Sequence, residues 1–129
     1  MKAVVSSFLL LTAAVVIGVV CSGTVCELCR TTEQQLESLP KSIEDLSPKE
    51  TDELLTKVDG ICELWEDRTL FLAVCVPAQT FGAVRSSLFA VRDLIEAKSE
   101  DEYSAARSHL VTLVRLMRES EEFSLKSIF

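Results

Sequence analysis

The chain has 129 residues, with 13 Lys and Arg against 20 Asp and Glu for a net charge of −7. That length holds one domain, and so acidic a surface lacks the positive charge that binding a phosphate backbone requires. Gly and Pro are scarce, at four and three residues, and the wealth of Leu, Glu, Ala, Ser, Val and Arg favours helix over sheet.

Ala3 to Val20 contains no charged residue. As a helix this run is ~27 Å long, and an extension to Val25 brings it to ~34 Å, against a hydrocarbon core of ~30 Å. Residues 1–25 are therefore read as a transmembrane anchor. Lys2 and the amino terminus form a positive flank that stays in the cytoplasm, which exports residues 26–129 as an extracytoplasmic helical domain. A cleaved secretory signal is the competing reading, with small residues near Ser22 and Gly23 for a peptidase. The apolar run sits at or beyond the long end of a signal core, about 15 residues. Acylation of Cys21 as a lipoprotein is weaker still, because Gly18-Val19-Val20 lacks the Leu and the small final residue such a signal uses.

The five cysteines are Cys21, Cys26, Cys29, Cys62 and Cys75. An odd number cannot all pair within one chain. Cys26-Glu27-Leu28-Cys29 is a lone CxxC that follows a membrane helix, not the strand of a thioredoxin-like unit. A zinc site would need two more ligands at suitable spacing, and only His109, Cys62 and Cys75 are on offer. Cys26 and Cys29 are the candidate disulfide or redox residues, set against membrane-edge or core thiols.

Beyond the anchor, Leu36, Leu39, Ile43 and Leu46 recur at helical spacing. This stretch either continues the anchor with a kink at Pro40 or stops near Ser38 before a second helix. Ser47-Pro48-Lys49-Glu50 is a helix start, with a capping Ser, Pro at the first position and Glu completing a capping box. The helix it opens carries Leu54, Val58, Ile61, Trp65 and Leu72 and ends or bends at Val76-Pro77. On one helix Cys62 and Cys75 would be ~20 Å apart and unable to pair. A third helix over 78–97 aligns Phe81, Val84, Leu88, Val91 and Ile95. Lys98 to Asp101 is a break, and a fourth helix aligns Tyr103, Ala106, Leu110, Leu113 and Met117. Phe123, Leu125, Ile128 and Phe129 are expected to fold back onto the helical core. Trp65 lies on an apolar stripe and reads as core.

Charge is uneven along the chain. Residues 27–67 hold twelve acids and four bases, and residues 68–118 hold seven bases and five acids. The two halves can face each other, or Arg85, Arg92, Arg107 and Arg115 can form an anion site. Asp59, Glu63, Glu66 and Asp67 lie close in sequence without calcium-loop spacing. His109 stands beside the core position Leu110 with no nucleophile or acid proposed for it. No catalytic, cofactor or metal-ligating residues emerge, and the chain is read as a non-enzyme.

Trp65, the Leu88-Val91-Ile95 run, Ser99-Glu100-Asp101, Leu110-Leu113-Met117 and the ending Glu122-Phe123-Ser124-Leu125-Lys126-Ser127-Ile128-Phe129 resemble domain-of-unknown-function family 4363. That family comprises small single-anchor proteins, mostly of Gram-positive spore-forming bacteria, and its ending usually has Asn where Ser127 stands here. The resemblance implies a membrane-anchored extracytoplasmic helical protein and carries over no catalytic residue.

The expected fold is all-α: a transmembrane helix followed by a small antiparallel helical bundle or hairpin. The hairpin rhythm is similar to tetratricopeptide packing, though the chain is too short for an array of about three repeats. The stripes can close within one chain or on a second copy. The expected function is protein interaction or scaffolding at the outer face of the cytoplasmic membrane, with the membrane and a protein as partners. The alternatives are a thiol redox or metal protein using Cys26 and Cys29, and a secreted protein after signal cleavage.

Overall fold

The computed structural model describes residues 1–128, and among these it holds five α-helices and no strand. α1 (Lys2–Glu37) is a single unbroken helix that carries the whole apolar run and continues well past it. The large apolar side chains of its Ala3–Val20 part are exposed, and only the last two turns of that part come near α3 and α5. From Ser22 onward one face is buried, through Val25, Leu28, Cys29, Thr32 and Leu36. Packing thus begins at Ser22, inside the segment assigned to the anchor, and no linker separates anchor from bundle.

α1 stops at Glu37, with Ser38 as its C-cap. Pro40 explains the stop, since it has no N–H to donate and disfavours helical backbone in the residue before it. The expected helix through Leu39, Ile43 and Leu46 does not form. These residues lie in a non-helical connection, where Leu39 and Ile43 are nonetheless buried. Their helical spacing reflects the plugging of the bundle end by a loop. That loop is held down by Tyr103, whose hydroxyl donates to the Pro40 carbonyl at 2.7 Å, and by the Glu100 carboxylate, which accepts from the Ile43 N–H at 2.6 Å.

α2 (Pro48–Asp67) begins as its sequence dictates. Ser47 is extended at φ −68° and ψ 161°, its Oγ accepts from the Glu50 N–H at 3.2 Å, and Pro48 opens the helix. The helix expected to run on to Val76 instead breaks at Arg68, and a short α3 (Thr69–Cys75) follows. Cys62 and Cys75 consequently sit on different helices. Val76 is extended ahead of Pro77, as a residue preceding proline should be. α4 (Ala78–Glu96) buries all five residues of its predicted stripe. α5 (Glu100–Ile128) buries Tyr103, Leu110, Val114 and Met117. Val114 takes the fully buried place expected of Leu113, which is only partly buried.

Contacts run α1 to α5, α5 to α4, and α4 to α2. Trp65 closes the ring by donating from its indole N–H to Thr32 Oγ1 of α1 at 2.9 Å, a bond buried in the core. Cross-helix pairs show α1 with α5 and α2 with α4 to be antiparallel: Ser22 with Glu121, Glu33 with Arg115, Arg85 with Glu66, and Arg92 with Asp59. The result is an up-down-up-down four-helix bundle, with α3 inserted at the end from which the apolar half of α1 emerges. Trp65 stacks near Phe81 of α4, ring centroids 6.3 Å apart, at the centre of this core.

The tail does not fold back. α5 continues as helix to Ile128, past the bundle and alongside the apolar part of α1. Phe123 is exposed. The packing expected of Ile128 and Phe129 lies outside the described side chains.

The α4–α5 turn is a Schellman motif. Ser99 N–H bonds the Leu94 carbonyl, Lys98 N–H bonds that of Ile95, and Lys98 stands at φ 57°. Glycine is the residue that avoids a Cβ penalty there. Lys98→Gly is expected to stabilise the bundle by about 0.5–1 kcal/mol, after allowance for the freer unfolded chain. A urea titration of the detergent-solubilised chain would show a higher midpoint at unchanged slope.

Candidate functional site

The chemistry-bearing side chains gather in two places: the junction where α1 leaves the bundle, and the α1–α5 seam just above it. Cys21 directly follows Val20, near the end of the apolar run. It forms a disulfide with Cys75, the last residue of α3, with the two Cα atoms 5.5 Å apart. The disulfide belongs to this pair, while Cys26, Cys29 and Cys62 are free thiols. The expectation of a disulfide at Cys26 or Cys29 is corrected accordingly. The pairing depends on two features of the fold, the break at Arg68 that turns α3 away from α2 and the antiparallel return of α2 along α1. Neither carries a cysteine-specific signal.

Cys26 and Cys29 face α5 and are buried. The Cys26 thiol lies 3.9 Å from the Arg118 carbonyl. Burial pushes its pKa up, and the neighbouring Glu122 and Glu121 carboxylates push the same way. Cys29 is raised further, to about 12, by burial first and then by Cys26 and Glu121. Burial likewise raises Cys62, with Asp59 adding to it. These environments hold the thiol form, whereas nucleophilic attack and metal ligation need the thiolate. Among the described residues, no group of three or more His, Cys, Asp or Glu side chains comes together to hold a metal ion. The acids Asp59, Glu63, Glu66 and Asp67 are drawn apart: Asp59 pairs with Arg92 and Glu66 with Arg85.

One turn above the thiols, Glu33 is buried at 7% exposure on the α1–α5 seam. Arg115 Nε donates to its Oε1 at 3.0 Å, and Arg118 Nη1 lies 3.1 Å from its Oε2. Glu37 receives Arg115 as well, and its carbonyl accepts from Arg107 at 3.4 Å. The four arginines considered as an anion site are thus all engaged with the acidic half of the chain. Arg85 and Arg92 are held by α2, Arg107 and Arg115 by α1. Pairing with Asp59 and with Glu33 raises the pKa values of Arg92 and Arg115 further. His109 is exposed on α5.

Sequence reasoning missed a shallow apolar groove between α4 and α5, lined by Thr80, Ala83, Val84, Leu113, Leu116 and Met117. Leu116 is 57% exposed on its rim. Its signal was the extra apolar residue beside the stripe position Met117, which leaves an apolar band wider than one helix face needs.

Three outcomes follow for the cysteines. The disulfide closes a loop over a sequence separation of 54, so Cys75→Ser should lower stability by about 2–4 kcal/mol. Reductant should destabilise the parent chain to the same level and leave the variant unchanged. A maleimide at pH 8 should leave the folded protein unmodified and label three thiols, Cys26, Cys29 and Cys62, after denaturation without reductant. Because the folded Cys29 pKa is raised from 9.0 to about 12, its contribution is complete below pH 9. It is lost as pH climbs towards 12, since the unfolded chain gives up the proton first. Cys29→Ala should reduce that alkaline decline, leaving the part due to Cys26, Cys62 and Tyr103, whose pKa values burial also raises.

No family model matches the chain, and no curated protein or solved structure matches it; a functional reading therefore stands on the junction, the seam and the groove themselves.

Proposed function

We propose that this protein is a membrane-anchored interaction or scaffold module. Its Ala3–Val20 segment spans the cytoplasmic membrane and its helical bundle sits at the outer face. The observation that carries this reading is a change of surroundings along one helix. The first half of α1 is apolar all round and unpacked, while the second half forms one wall of a four-helix core. A helix exposed and apolar on every side suits lipid.

Three features support the finer points. Lys2 and the amino terminus favour a cytoplasmic start. A structural disulfide suits an oxidising compartment, which agrees with export of the bundle. Retention is favoured over cleavage because a cut near Ser22 or Gly23 would sever α1 between Cys21 and the helix it anchors. It would also free Ser22, which donates to Glu121 at 2.8 Å. For the protein partner, the α4–α5 groove offers an apolar seat of the kind that takes the apolar face of an amphipathic helix. The likeness of the ending to family 4363 agrees with an anchored exported bundle and adds no activity. The thiol redox or metal alternative at Cys26 and Cys29 finds no support in two buried, protonated thiols.

Carbonate-washed membranes of cells producing the full chain should retain it intact, and protease added to protoplasts should digest the bundle. A soluble product beginning beyond Val20 would overturn anchoring, and a protected bundle would overturn the outer placement. A photo-crosslinking residue at Leu116 should form a protein adduct in those membranes that Ala83→Glu abolishes without loss of helix content. Absence of such an adduct removes the docking role.

A further inference from the structure

The end of the bundle nearest the apolar half of α1 is built from a second uncharged run. Thr69 to Val84 contains no Asp, Glu, Lys or Arg. It comprises all of α3, the connection to α4 and the first two turns of α4. α3 buries Leu72 and turns Leu70 and Val74, one helical turn apart, outward at 86% and 79% exposure. An isolated soluble bundle would gain nothing from presenting them to water.

Their placement identifies what covers them. The Cys21–Cys75 disulfide fixes the end of α3 beside the residue that follows Val20. α5 reaches the same level and passes it. Ala14, Gly18, Cys21, Val74, Glu121 and Ser124 line a single concavity, so α1, α3 and the end of α5 converge there. Phe123, at 72% exposure, stands on this part of α5. The polar groups nearest the concavity have partners within the protein, although the Glu121 carboxylate is met by a hydroxyl and by no cation. Glu121 accepts from Ser22, Glu122 faces Arg30 and Arg118, and Ser127 Oγ donates to the Phe123 carbonyl at 2.9 Å. Lys126 has the long stem that lets a charge reach water from an apolar setting.

We propose that α3 and the end of α5 form an interfacial collar, with Leu70, Val74 and Phe123 inserted into the headgroup and upper acyl region of the bilayer that α1 crosses. The inference rests on the anchoring reading and adds a second contact with lipid. A lone spanning helix leaves its domain free to tilt. Two further apolar elements around its exit, one joined to it covalently, hold the bundle at a set height and orientation, and the α4–α5 groove then faces sideways along the membrane surface.

The test is photolabelling of the full chain in phosphatidylcholine–phosphatidylglycerol vesicles carrying an acyl-chain diazirine, with adducts mapped by mass spectrometry. Adducts are expected on 3–20, at Leu70 and Val74, and at Phe123. None are expected at Phe89, an exposed apolar residue in the middle of α4. L70S/V74S should lose the α3 adducts while keeping those on 3–20. Labelling on 3–20 with none at α3 or Phe123 overturns the collar and leaves the anchor standing, as would be seen if a protein covers that face. Labelling at α3 with none on 3–20 overturns the anchor instead.

Discussion

Everything in this molecule depends on α1 meeting two surroundings with one uninterrupted backbone. Its 36 residues make a rod of ~54 Å. A helix satisfies its own backbone polar groups, so the first half, which we propose lies in lipid, needs only apolar side chains. In the bundle the same rod must present a single face, and from Ser22 onward the buried positions recur at helical spacing. The two halves share hydrogen bonds across the boundary, which makes the change of surroundings a matter of side chains alone. A displacement of the bundle is then a displacement of the helix.

The charged residues perform a complementary task along the α1–α5 and α2–α4 pairs. Exposed ion pairs contribute little stability one by one. A buried carboxylate such as Glu33, clasped by two arginines, is strongly unfavourable if a sliding helix removes its partners. The division of the chain into an acidic first half and a more basic second half therefore encodes register. α4 and α5 bring arginines to acids on α2 and α1, and a shift of one turn would set Glu33 against Val111 and Val114 in one direction or against Glu119 and Glu122 in the other. Arg85, Arg92 and Arg115 are thereby paired with carboxylates, and Arg107, which reaches only the Glu37 carbonyl, is left apart from any cluster that could bind an anion.

Much of the architecture is legible in the sequence because period and capping agree there. The Ser47 cap, the Pro77 boundary, the α4 stripe and the core role of Trp65 all follow from local chemistry. Three features were hidden, each for a physical reason. The apolar residues of 36–46 keep helical spacing, yet Pro40 forbids the helix, and a loop buries Leu39 and Ile43 instead. The break at Arg68 occurs without Gly or Pro, since Leu72 stays in the core whether or not the helix is continuous. The Cys21–Cys75 bond joins two positions whose nearness is created by that break and by the return of α2 along α1. Spacing alone offers many pairings of five cysteines. The CxxC attracted notice as the conspicuous motif, but its spacing of three equally describes two neighbours on a buried helix face, which is what Cys26 and Cys29 are.

The same reasoning explains why the two uncharged runs of the chain, Ala3–Val20 and Thr69–Val84, end up together. The first is long enough to cross a bilayer and the second is not. A short apolar segment in a small domain must either be swallowed by the core or be left outside. Thr69–Val84 does both: Leu72, Phe81 and Val84 enter the core, whereas Leu70 and Val74 remain outside. Exposure of that kind suits the collar we propose, where water is scarce. The disulfide places it at the one end of the bundle where the chain already carries an apolar helix outward, and the uncharged stretch of α3 and early α4 matches the surface that such a position requires.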